Sequence, residues 1–137
     1  MKPSSSGSED PGERTRREVL GDEHVDRAQA RTSDFTRPFQ EFIQRYAWGD
    51  VWNRPGLDRR QRSMITLAAV TALGAEKELE LHVRGALNNG LTPEEIAEVL
   101  LHTAVYAGVP SANRAYAIAQ EVLRSDEPED ENRRAYD

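Results

Sequence analysis

The feature that most constrains this chain is its punctuation. Glycines at 21, 49, 56, 74, 90 and 108 interrupt runs of helix-favouring residues, and several runs restart on a capping residue. The clearest start is Thr92-Pro93-Glu94-Glu95, in which Thr at the N-cap, Pro at N1 and Glu at N3 form a capping box. Asp22, Asp34, Asp58 and Ser111 read as further N-caps, and Asn89-Gly90 reads as a C-terminal stop. The segments so delimited are 13–20, 22–30, 36–48, 58–73, 76–89, 92–106 and a last one from 111. Phe39, Phe42, Ile43 and Tyr46 recur at i, i+3, i+4 and i+7, which predicts one apolar face on the third helix. Residues 64–73 (MITLAAVTAL) are apolar nearly all round and predict a central, buried helix. No segment alternates with period two between turn residues, so no sheet is expected. The predicted class is all-α, with about six to seven helices.

At 137 residues the chain suits one domain. Its polar residues gather at the ends: residues 1–12 (MKPSSSGSEDPG) and 126–137 (DEPEDENRRAYD) read as disordered tails around a folded domain at 13–125. The start has no apolar signal-peptide core, and no run of about 18 apolar residues exists to span a membrane. A cytoplasmic location is expected. A net charge of −6 argues against nucleic-acid binding, although local arginines can still hold a small anion. Cysteine is absent, which removes disulfides, thiolate nucleophiles and Cys-ligated zinc. The three histidines are too scattered for a metal site, and no phosphate-binding glycine loop occurs.

The side chain that most invites chemistry is His82. It lies between Leu79 and Ala86 at helical spacing, with Glu78 one turn earlier on the same stripe. A carboxylate that orients an imidazole and raises its basicity is a general acid–base device. The same spacing also fits a core histidine with an incidental carboxylate. Arg54, Arg59, Arg60 and Arg62 crowd the loop and start of the fourth helix; Arg59 and Arg60 read as solvated. Arg62 precedes the apolar run and is the candidate to point inward and clamp a carboxylate. Trp48 and Trp52 either pack a core edge or wall a pocket. His24 reads as solvated, and His102 as surface or interface.

Several unlinked segments, in order, resemble the carboxymuconolactone decarboxylase family. They are REVLGD at 17–22, HVDR at 24–27, FQ at 39–40, YAWG at 46–49, WNRPGL at 52–57, RS at 62–63, His82, NNG at 88–90 and GVP at 108–110. The resemblance spans about 13–124. It implies an alkylhydroperoxidase D-like helical domain that assembles as a homotrimer or homohexamer, with sites near subunit interfaces. The peroxidase branch of that superfamily carries Cys-x-x-Cys-x-x-x-His. Aligned on His82, its cysteines fall on Ala75 and Glu78, so dithiol chemistry has no nucleophile here.

The implied activity is cofactor-free, metal-free decarboxylation of 4-carboxymuconolactone to the β-ketoadipate enol-lactone of protocatechuate catabolism. The implied partner is thus a small dicarboxylate lactone. On this reading His82 donates the proton, Glu78 orients it, and Arg62 or Arg54 holds a carboxylate. Trp48, Trp52 and Tyr46 form dry walls, with Tyr46 also a candidate donor to the dienolate. The alternatives are a relative acting on another lactone or decarboxylating in another pathway, and a non-catalytic oligomeric homologue.

Overall fold

The computed structural model of the chain describes residues 10–126. Seven α-helices follow one another, with no strand among the described residues: α1 (Pro11–Leu20), α2 (Asp22–Ala30), α3 (Arg37–Ile43), α4 (Arg59–Leu73), α5 (Glu76–Asn88), α6 (Pro93–Ala107) and α7 (Val109–Asp126). The expected capping box at α6 is present, and the expected cap Asp58 forms a second one at α4. Asp58 accepts from the Gln61 amide at 2.8 Å, Thr92 accepts from the Glu95 amide at 3.1 Å, and both glutamine and glutamate reach back. Gly74 closes α4 in the left-handed conformation, at φ 70°, where a Cβ would be strained.

Four starts differ from expectation. Asp22 does not cap α2 but is its first residue, after Gly21 at the N-cap position, and makes no capping hydrogen bond. α1 begins at Pro11, because Asp10 accepts from the amides of Gly12 (2.9 Å) and Glu13 (3.4 Å); residues 10–12 therefore belong to the fold rather than to a tail. Asp34 does not cap α3 but pairs with Arg37 at 2.6 Å. α7 starts at Val109, directly after Gly108, so Ser111 lies within its first turn; Pro110 sits where a missing amide hydrogen costs nothing. The rest of the expected tail at 1–12, and all of 126–137 beyond Asp126, lies outside the described residues.

α3 does not end at Gly49. It widens without a break into a π-helical stretch, Gln44–Asp50, followed by a 3₁₀ turn at Val51–Asn53. Helices of this wider pitch change the direction of the side chains they carry. Here the stretch turns Trp48 inward, to 5 % exposure, while Phe39, Phe42 and Tyr46 stay largely exposed.

The helices build two apolar clusters. α4–α7 enclose one made of residues such as Leu67, Val83, Ile96, Leu100 and Val122. Val19, Leu20 and Trp48 form the other, with Ile43, Ala47, Trp52 and Leu81 packed against it. α5 serves both, presenting Leu79, Val83 and Ala86 to the bundle and Leu81 to the N-terminal helices. No helix among the described residues is long and apolar enough to cross a membrane.

The expectation for α4 is corrected. Only Ser63, Leu67 and Thr71, one stripe at i, i+4 and i+8, are buried within the chain. Ile65 and Leu73 are 56 % and 80 % exposed, because α5, α6 and α7 cover one side of the helix and nothing among the described residues covers the other.

The tightest approach in the fold is α1 against the π-helical stretch. A methyl group on Gly12 would overlap the Gln44 carbonyl oxygen, which is backbone and cannot swing away. Gly12→Ala is therefore expected to destabilise the protein by about 1–3 kcal/mol, the usual range for overpacking. Urea unfolding at fixed protein concentration checks this, and an unchanged midpoint would refute the close packing of α1.

Candidate active site

α5 places Glu78, Leu81 and His82 on the side that faces the N-terminal helices, and a cleft of about 600 Å³ opens there. Its size suits a small organic ligand. Trp48, Trp52 and Ile43 supply apolar wall, α1 contributes Arg16 and Leu20, and α2 contributes His24 and Arg31. The indoles of Trp48 and Trp52 stack at 5.0 Å between centroids. The His82 imidazole lies 6.3 Å from the Trp48 ring, nearly parallel at 16°.

His82 is held in a dry place, its side chain 12 % exposed. Burial lowers its pKa from 6.5 to about 4, helped by the positive charge of a protonated His24. Glu78 stands 3.7 Å from Nε2 and is 60 % exposed. That distance is too long for a hydrogen bond, so burial outweighs the carboxylate and the imidazole is neutral at pH 7. The expected rise in basicity is therefore not realised by Glu78. His24, read as solvated, is a second imidazole of the same cleft. Its pKa is lowered by burial first and then by Arg16, Arg27 and Arg31, with Glu78 opposing.

The structure brings together His82, Glu78, Trp48 and Trp52 as expected, and leaves three other candidates off this cleft. Arg62 donates from Nη2 to the Arg54 carbonyl at 3.0 Å and so braces the loop before α4, while its Nε is buried without a partner. Arg54 and Tyr46 are exposed, and Tyr46 stacks on Phe42 at 5.3 Å. Arg59 pairs with Glu18, and Arg60 with Glu95 and the Gly90 carbonyl, so both arginines are cross-links between helices rather than solvated charges. His102 is exposed beside Tyr106 on α6.

The arginines that do line the cleft, Arg16 and Arg31, were missed. The signal available for Arg16 was its position: Thr15, Arg16 and Val19 follow Gly12 at i+3, i+4 and i+7 and share its buried face. Among the described residues no cluster of three His, Asp or Glu could hold a metal ion.

An all-α domain with a half-apolar cleft, a neutral imidazole and cations on its wall has the chemistry to hold a small organic anion. The sequence model of the carboxymuconolactone decarboxylase family matches residues 37–121. The chain is 49 % identical, over 113 residues, to the 4-carboxymuconolactone decarboxylase of Acinetobacter baylyi, a match covering 82 % of this chain and 84 % of that protein. It is 50 % identical, over 114 residues, to the nitrosuccinic acid decarboxylase of Metarhizium robertsii, covering 83 % and 80 %. A Pseudomonas putida 4-carboxymuconolactone decarboxylase sequence is 54 % identical over 41 residues, 30 % of this chain and 85 % of that sequence. The chain belongs to the carboxymuconolactone decarboxylase family. The family model begins at α3, so α1 and α2, with Arg16, His24 and Arg31, lie outside it.

The burial of His82 has a consequence for stability. Its folded-state pKa lies below its unfolded one, so between the two the unfolded chain binds more protons. Stability is therefore full above about pH 6.5 and declines as pH falls toward 4, by up to roughly 3 kcal/mol from this residue. His82→Gln is expected to flatten that part of the profile. Denaturation of both proteins at pH 7.5, 5.5 and 4.5 tests it, and parallel profiles would show that the imidazole is not buried as described.

Proposed function

We propose that this chain is a carboxy-lyase that decarboxylates 4-carboxymuconolactone without a metal or organic cofactor. The observation that carries the reading is the 49 % identity, over four-fifths of both chains, to an enzyme named for that reaction. The cleft contains groups that the chemistry asks for.

The substrate is an unsaturated lactone whose γ carbon bears one carboxylate and one carboxymethyl group. Breaking the bond from the γ carbon to its carboxylate releases carbon dioxide and leaves an electron pair. That pair passes through the ring double bond to the lactone carbonyl oxygen, forming a dienolate. A proton then joins the α carbon, so each turnover breaks one C–C bond, makes one C–H bond and takes up one proton. The electron sink is part of the substrate.

His82 is the proton donor in this scheme. It is neutral among the protein's own groups, and a dianionic substrate beside it raises its affinity for a proton, as any opposite charge at close range does. The imidazolium then protonates the α carbon and is recharged from solvent past the exposed Glu78. Trp48 and Trp52 give the departing carboxylate an apolar wall, which favours loss of its charge as carbon dioxide. His82→Gln is expected to cut kcat by about two to four orders of magnitude with the fold intact. Near-normal turnover would make His82 a core residue. Activity is also expected to survive exhaustive chelation with EDTA.

A second reading rests on the comparable 50 % identity to a nitrosuccinic acid decarboxylase. There the nitro group replaces the lactone as the sink, and the same donor and walls suffice. Ratios of kcat/KM for the two acids decide between the readings.

We also propose that the chain assembles as a homotrimer or homohexamer. Ile65, Leu73, Val105, Tyr106 and Val109 expose large apolar side chains. A groove of about 570 Å³ between α4 and α6, walled by Met64, Ile65 and Val99, adds to that surface. Such an extent of apolar surface is typical of an interface. Light scattering at micromolar concentration is expected to give three or six copies; a monomer would overturn the assembly.

A further inference from the structure

We propose that Arg16 is the substrate-selecting residue: it clamps the retained carboxymethyl carboxylate, so that the cleft takes succinates bearing an electron sink on the carbon that loses carbon dioxide. This rests on the decarboxylase reading above and names its substrate class. In the lactone, the γ carbon, its carboxylate and the carboxymethyl arm together form a succinate. Nitrosuccinic acid is by its name a succinate as well. What the two acids share is the four-carbon dicarboxylate, and what differs is the sink.

Two adjacent arginines on α1 show why Arg16 is available for this. Arg17 meets Glu13, Asp22 and Asp26 at 3.1, 3.0 and 2.9 Å and is saturated. Arg16 is 8 % exposed, and no ion pair to it is found among the described residues. Its Nη2 donates one long bond, 3.3 Å, to the neutral amide oxygen of Gln40, and its Nε is buried without any partner. Glu78 acts on it only at a distance. An arginine does not escape burial by losing its proton, so a guanidinium in this position calls for a carboxylate from outside the chain. Its planar fork suits one, bidentate.

The identity of that carboxylate follows from the reaction. A cation held on the departing carboxylate would stabilise the ground state and keep the electrons where they are, which slows loss of carbon dioxide. The clamp must therefore hold the other one. With the carboxymethyl arm on Arg16, the departing group is left to the indole walls of the cleft.

The test uses the full chain, with the lactone as substrate and succinate as a non-reacting probe. Succinate is expected to bind the wild type and inhibit competitively, with butanoate, of equal length but one carboxylate, at least about ten-fold weaker. Arg16→Gln is expected to raise KM roughly 100-fold and abolish succinate inhibition. Arg16→Lys keeps the charge but not the fork, and is expected to raise KM about ten-fold or more while kcat stays within about three-fold. A folded Arg16→Gln protein with KM and succinate inhibition within two-fold of wild type would overturn the proposal. If that variant does not fold, Arg16→Lys decides, and an unchanged KM overturns it equally. Should the wild type turn over neither acid, calorimetry with succinate still separates the two ideas. Binding that is lost on Arg16→Gln supports the clamp while the decarboxylase reading falls, and no binding by wild type sinks the clamp.

Discussion

The cleft depends on how closely α1 lies against its two neighbours. On one side Gly12 touches the Gln44 backbone; on the other Gly85 of α5 leaves room for Val19 and Leu20, whose side chains a Cβ there would meet at 3.3 and 3.6 Å. Two hydrogen bonds hold the helix in this bed. Asn88 of α5 donates to the Val19 carbonyl at 2.7 Å, and Thr15 donates to Asn53 at 2.8 Å. Asn53 in turn donates to the carbonyls of Trp48 and Gly49, so the same residue that holds α1 also anchors the π-helical stretch. Because Arg16 shares the buried stripe with Gly12, Thr15 and Val19, docking α1 presses a guanidinium into the interior, whatever that costs by itself.

That arrangement produces an unusual electrostatic division of labour. The cleft keeps its imidazole uncharged by burial and its guanidinium charged by chemistry, both on its lining. A dianion reverses the first condition and satisfies the second. In the mechanism we propose, the charge that the substrate brings is what prepares the acid, which couples proton delivery to occupancy. Indole walls add the remaining requirement, a surface that offers nothing to a carboxylate about to lose its charge.

Much of the fold was legible because the signals were local. The cap at Asp58, the capping box at Thr92 and the glycine stops at Gly74 and Gly90 involve residues three or four apart, and each was found where its motif stood. Spacing and resemblance drew His82, Glu78, Trp48 and Trp52 together, and all four line one cleft. Arg16 and His24 were not legible, since α1 buries a stripe of Gly, Thr and Arg that carries no hydrophobic periodicity. Polar composition read there as a tail up to residue 12 and, on the next helix, a solvated His24. α4 misled in the opposite direction: an apolar run declares that a surface will be covered, but not that the same chain covers it.

By itself, then, the amino-acid sequence determined the helical class, the starts and stops of most helices, the exclusion of thiol chemistry and the candidate imidazole on α5. Each of these follows from interactions within a turn or two of chain, or from residue types that are simply absent. Only the tertiary structure decided which cations face that imidazole. Arg16 and His82 are separated by most of the N-terminal half, and they share a cleft because two glycines let three backbones come close. No pattern along the chain encodes such a meeting; it exists once α1, α5 and the π-helical stretch are packed together.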